Sequence, residues 1–223
     1  QTKILVINLM CILFFISFAQ LNGSIVLLIN HYATNEIKGI KVPSQWLLTL
    51  QPIIIILFFL LGKSWSFISN YLANCSSFKK LCTALLFLAI AFFVLAAFSY
   101  FNESGKVSLF GLVLFYLFVS LSEFIFIPTC YNYLAQVIPY NMVGIGFGYF
   151  FISRSLGNYL AMIFSKTIFE LSVTSAELKR YVYLFVILAG ITVISVLILF
   201  LIKISPGLQI SKLANLVQKR TYQ

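Results

Sequence analysis

Residues 81–98 read LCTALLFLAIAFFVLAAF. The stretch contains no charge and no amide, and its one hydroxyl belongs to Thr83. Apolar residues do not alternate with polar ones here, so the segment is greasy all round and does not read as a half-buried strand. At about 1.5 Å per helical residue, roughly 20 such residues cross the hydrocarbon layer of a bilayer. With its flanks the run extends over about 79–101, and five more runs resemble it: about 4–30, 46–70, 108–136, 142–166 and 179–203. Lipid offers backbone N–H and C=O groups no partners. Runs without strand alternation therefore span it only as helices.

The composition agrees. Hydrophobic residues make up 61% of the chain and charged residues 9%, with a mean hydropathy of +1.04. A soluble domain needs far more polar surface. The sequence thus specifies an all-α integral membrane protein with a six-helix bundle over 1–203 and a basic tail over 204–223. The first run is about twice as long as the apolar part of a secretory signal, which argues against a cleaved leader.

Fifteen Lys and Arg oppose five Glu, a net charge of +10. The basic residues are spread thinly between the apolar runs, as in loops at a membrane surface, so no nucleic-acid partner is expected. Cys11, Cys75, Cys82 and Cys130 form no CxxC, and His31 is the single histidine. No metal site and no disulfide framework is expected from them. Six spans place both termini on one side. If that side is cytoplasmic, the inner segments hold Lys3, Lys63, Lys79, Lys80, Lys203, Lys212, Lys219 and Arg220, against Lys38, Lys41, Lys106, Lys166, Lys179 and Arg180 outside. That excess puts both ends in the cytoplasm, and an integral plasma (inner) membrane location is expected.

Polar residues within the spans are unevenly shared. Span one has Gln20, Asn22 and Ser24; span two has Gln51; span four has Glu123 and Asn132; span five has Arg154 and Asn158. Spans three and six carry only hydroxyls and small residues. Spans one, two, four and five are therefore expected to surround something polar, and three and six to be peripheral. The pattern recurs after three helices, either by chance or because the bundle is a 3+3 repeat of the kind secondary transporters use.

Glu123 and Arg154 are the charges buried in the spans. Counted from the turn at Pro139-Tyr140, both sit at nearly the same depth. An isolated charge there costs about 2.5–3.5 kcal/mol on insertion scales, so each is expected to find the other or a wet cavity. A purely structural salt bridge and a transport site both satisfy this. Pro128 favours the second, because it leaves the carbonyl of Phe124 without its helical donor and suggests a broken helix beside the carboxylate. Phe147, Phe150, Arg154 and Asn158 (or Gly157) fall on one helical stripe. Gly144, Gly146 and Gly148 before it suit close packing or a flexible gate. The tail reads as a short amphipathic helix on the inner leaflet or as a disordered end.

Four stretches also resemble one family. FAQLNGSIV (18–26), VPSQWLLTLQPIIII (42–56), SEFIFIP (122–128) and VIPYNMVGIGFGYFFISRSLGNYLA (137–161) are similar, in order and spacing, to helices seven, eight, ten and eleven of proton-dependent oligopeptide transporters. The resemblance implies a major-facilitator fold, of which this chain would be the C-terminal six-helix half. It implies small peptides as substrate and a missing N-terminal half as partner. The coupling agent would be a proton gradient, with no bound cofactor. It assigns peptide binding and charge switching to Glu123, a cavity-facing role to Gln51 in place of the family's Asn, and an apolar pocket wall to Phe150 in place of its Trp. Gln20 matches the seventh-helix Gln. The chain departs from the pattern at Ala19, where many members are acidic, and at Arg154, where they are small or neutral.

The expected substrate-binding set is thus Glu123, Gln51, Phe150, Arg154, Gln20 and Asn158, with Glu123 and Arg154 coupling protons. Opposite charge and burial act on a carboxylate in opposing senses, and their balance would make Glu123 a switch. A non-transporting scaffold subunit or an inactive remnant is the alternative. An enzyme is not expected, since the chain has neither HExxH nor GxSxG.

Overall fold

The computed structural model describes residues 2–32, 36–37, 40–41, 43–61, 75–101, 106–171 and 177–204. The far part of span two (62–70) and nearly all of the expected tail (205–223) lie outside these residues. Span one is two helices, α1 (Thr2–Phe18) and α2 (Ser24–Tyr32), joined by a 3-10 turn over Ala19–Asn22 and by Gly23. Span two is α3 (Ser44–Leu48) and α4 (Leu50–Leu61). Then come α5 (Ser77–Tyr100), α6 (Leu109–Val137), α7 (Val143–Leu171) and α8 (Glu177–Ile204). The connector after α2 adds a small hairpin, β1 (Glu36–Ile37) against β2 (Ile40–Lys41), pairing Glu36 with Lys41 and Ile37 with Ile40.

Local chemistry sets several boundaries. Ser76 caps α5 by accepting from the Lys79 amide at 3.5 Å. Ile138 is extended, as a residue before proline must be, and this ends α6. Pro139 then starts a tight turn that the Met142 amide closes at 2.9 Å. The joint in span two follows from Pro52. A proline has no N–H and its ring presses on the carbonyl four residues back, which is Leu48, where α3 stops. Pro128 behaves differently from the sequence expectation: α6 runs on through it without a break. The broken geometry lies instead in spans one and two.

Helix packing exchanges partners between the two halves of the chain. Span one packs on span five (α1 on α7), and span two on span four (α4 on α6). Span three packs on span four (α5 on α6), and span six on span one (α8 on α1), while α5 and α8 pack on each other. This is the interlocked arrangement of a 3+3 repeat. Among the described residues, four stretches are long and apolar enough to cross a membrane: Leu5–Tyr32, Ser77–Tyr100, Leu109–Val137 and Tyr181–Leu201. The long α7 is not among them, because Arg154 and Asn158 lower its hydropathy.

The contact between α1 and α7 is close because Gly157 has no side chain. A Cβ there would stand 2.8 Å from the Ile12 carbonyl and 2.7 Å from the Phe15 Cβ. Among the three earlier glycines, Gly146 faces the Ile138 side chain, whereas Gly144 and Gly148 face open space.

At the break in span one, Gln20 takes over the missing helix bonds. Its amide nitrogen donates to the Ala161 carbonyl at 3.0 Å and to the Ile16 carbonyl at 3.5 Å. Its oxygen accepts from the hydroxyls of Ser24 at 2.6 Å and Ser165 at 2.9 Å. The residue is fully buried, and the break is thereby stapled to α7.

Three outcomes follow for thermal unfolding in detergent. Gly157→Ala, which collides with backbone, is expected to cost about 1–3 kcal/mol and lower the midpoint. Gly148→Ala, which meets nothing, is expected to raise it slightly, since alanine favours a helix interior by about 0.5–1 kcal/mol; equal midpoints for the two variants would contradict the close approach. Gln20→Leu is expected to cost about 1–3 kcal/mol through the hydroxyls and carbonyl it strands. A wild-type midpoint would show that the staple contributes nothing.

Candidate transport site

Glu123 is half-buried on α6. Its rotation is fixed by its neighbours: the Ser122 hydroxyl donates to the Ala84 carbonyl of α5 at 2.7 Å, which turns Glu123 towards α4. There the side-chain amide of Gln51 donates to the Glu123 carboxylate at 2.7 Å. The Ser120 hydroxyl, one turn before Glu123, donates to the Gln51 main-chain carbonyl at 3.4 Å. Gln51 reaches this position because the joint at Thr49 redirects the chain just ahead of it. The Ile53 amide bonds the Thr49 carbonyl at 3.3 Å, and the Thr49 hydroxyl bonds the Trp46 carbonyl at 2.7 Å.

Arg154, half-buried on α7, does not pair with Glu123. Its guanidinium carbon lies 5.0 Å from the centroid of the Phe15 ring on α1, a cation–π contact worth about 0.5–2 kcal/mol depending on desolvation. The correction has a plain cause: equal depth on consecutive helices is not contact. The ring contacts between α6 and α7 are those of Tyr131 with Phe147 (5.8 Å) and Phe150 (5.1 Å), towards their shared turn. Above that turn α1 stands between them. Phe14 of α1 stacks flat on Phe126 of α6, centroids 3.8 Å apart and 3° between planes, while the next residue, Phe15, carries Arg154.

The other expected residues are placed as follows. Phe150 is fully buried against Tyr131 and Phe151, so it supports the bundle from within and does not form an open pocket wall. Gln20 is committed to the span-one staple and has no amide valence left for a ligand. Asn158 is exposed one turn beyond Arg154. The structure thus joins Glu123 to Gln51 directly and sets Arg154 across α1 from them. Phe15 and Ser120 were not singled out by sequence reasoning. The spacing of Ser120 from Glu123 held a signal, but nothing local marks Phe15 among the phenylalanines around it.

Chemically, the arrangement is a carboxylate held by a neutral amide and a guanidinium held only by a ring face. The first suits a cation such as an ammonium group. The second keeps its N–H donors free of carboxylate partners among the described residues and suits an anion.

Similar folds are known. The chain superposes on a mutant of the peptide transporter POT in complex with alafosfalin with a TM-score of 0.77 at 18% identity, covering 89% of this chain and 39% of that one. For the POT family transporter PepTSo the TM-score is 0.72 at 16% identity, covering 93% and 42%. For tetrameric PepTSo2 it is 0.68 at 22% identity, covering 89% and 41%. The chain therefore spans about two fifths of the length of these structures, and its six helices form half of a major-facilitator fold. A comparison with curated proteins gave no match. The POT family model matches residues 1–182, and this chain is a member of the POT family.

Proposed function

We propose that this chain is the C-terminal half of a proton-coupled di- or tripeptide transporter, and that it transports only together with an N-terminal six-helix half. The observation that carries the reading is the carboxylate of Glu123, tethered by Gln51 inside a span and faced across α1 by Arg154, which has no ion-pair partner among the described residues. A zwitterionic peptide presents an ammonium and a carboxylate, and this pair of charges answers both. Membership of the POT family and a relative solved with a thioalcohol-conjugated peptide support the same substrate class.

In this scheme ionised Glu123 holds the peptide's amino end in place of the Gln51 amide, and Arg154 leaves the Phe15 face to meet the peptide carboxylate. Protonation of Glu123 cancels its hold on the ammonium group and releases that end. The two charges act on one substrate from opposite sides of α1, so relative movement of the helices controls both. Asn158 adds an exposed amide beside Arg154. Both termini lie in the cytoplasm, the membrane is the plasma (inner) membrane, and the driving force is the proton gradient, with no bound cofactor.

Uptake of a labelled dipeptide into proteoliposomes under an inward proton gradient tests this. The chain reconstituted with its N-terminal half is expected to accumulate peptide and to lose accumulation with a protonophore. The chain alone is expected to match empty liposomes; transport by the chain alone would overturn the half-transporter reading. In the assembled transporter, Glu123→Gln is expected to weaken peptide uptake about 10- to 100-fold, the value of a charge-assisted hydrogen bond to the peptide's amino end. Arg154→Ala is expected to change the pH profile of uptake, since the cation that faces Glu123 across α1 is lost. An unchanged pH profile would separate Arg154 from coupling.

A further inference from the structure

We propose that Cys11 and Cys130 are an oxidant-sensitive dithiol whose disulfide would clamp α1 to α6. Their sulfur atoms lie 3.9 Å apart across the interface, both residues are fully buried, and both carry free thiols. The neighbouring turn holds the Phe14–Phe126 stack, so the two helices are already in contact at consecutive turns. Forming the bond requires the sulfurs to close to about 2 Å.

Burial closes these thiols to bulky reagents and slows their chemistry. The matching oxidant is therefore small and uncharged, and hydrogen peroxide is of that class. One thiol attacks the peroxide O–O bond, giving a sulfenic acid and releasing one water. The second thiol attacks the sulfenic sulfur, forming the S–S bond and releasing another water. The dithiol loses two electrons and two protons, and peroxide is reduced to water. A dithiol reductant reverses the step.

The consequence follows from the place of α1. This helix separates Glu123 from Arg154 and carries the ring on which Arg154 rests. Cys130 lies two helical turns beyond Glu123 on the same face of α6. A covalent tie there fixes α1 against α6 and so fixes the spacing of the two charges. That effect on transport rests on the function proposed above, whereas disulfide formation does not.

The test is maleimide labelling of the full chain after denaturation, with and without prior peroxide treatment in membranes. Free thiols are expected to fall from four to two and to return with dithiothreitol. The loss is expected to persist in a Cys75→Ser, Cys82→Ser variant and to vanish in Cys11→Ser and in Cys130→Ala. Four free thiols after oxidation, or a loss that survives in both single variants, would overturn the proposal. In the assembled transporter, peptide uptake is expected to drop at least fivefold on oxidation and recover on reduction. A formed disulfide with unchanged uptake would overturn the clamp alone, and absence of uptake in either redox state would count against the transport reading.

Discussion

The position of α1 between α6 and α7 governs the rest of the bundle. One side of it is held by a flat aromatic stack, Phe14 on Phe126, and the other by backbone contact at Gly157. The missing side chain at Gly157 brings α1 close to α7, and the stacked rings fill the space between α1 and α6. Together they leave no room for α6 and α7 to meet in the middle of the bundle. Glu123 and Arg154 are therefore separated by a helix, and each must find a different neutral partner.

Those partners explain how two charges persist among apolar helices. Neither is neutralised by an ion pair among the described residues. Gln51 gives Glu123 a hydrogen bond without cancelling its charge, and the Phe15 ring gives Arg154 a polarisable face without occupying its donors. Such partners are easily exchanged for a ligand. A direct salt bridge at this depth would resist exchange, because breaking it leaves two bare charges where water is scarce. The breaks in spans one and two serve the same region. One places Gln51, and the other is sealed by Gln20, Ser24 and Ser165, so that the backbone is interrupted without stranding its polar groups.

Much of this was legible from residue types alone. Segments such as 81–98 admit only a membrane helix. The concentration of polar residues in spans one, two, four and five separated the helices around the charges from α5 and α8, which pack on each other. The family pattern picked out Glu123 and Gln51, which the structure joins. Reading broke down where it depended on which surfaces meet. Pro128 looked like a helix break and is carried within α6, whereas Pro52, at the start of α4, has its effect on Leu48. Phe150 and Gln20 looked like ligand contacts, and packing has enclosed both.

The sequence by itself determined the number of spans and their membrane habit, because hydrophobicity and the rise per residue are properties of a single segment. It could not determine partners. Rise fixes height along the bundle axis but says nothing of azimuth. The choice of Gln51 for Glu123 and of Phe15 for Arg154 depends on how six helices share one cross-section. Only the tertiary structure decided that, through the contacts at Gly157 and Phe14 that place α1 between the two charges.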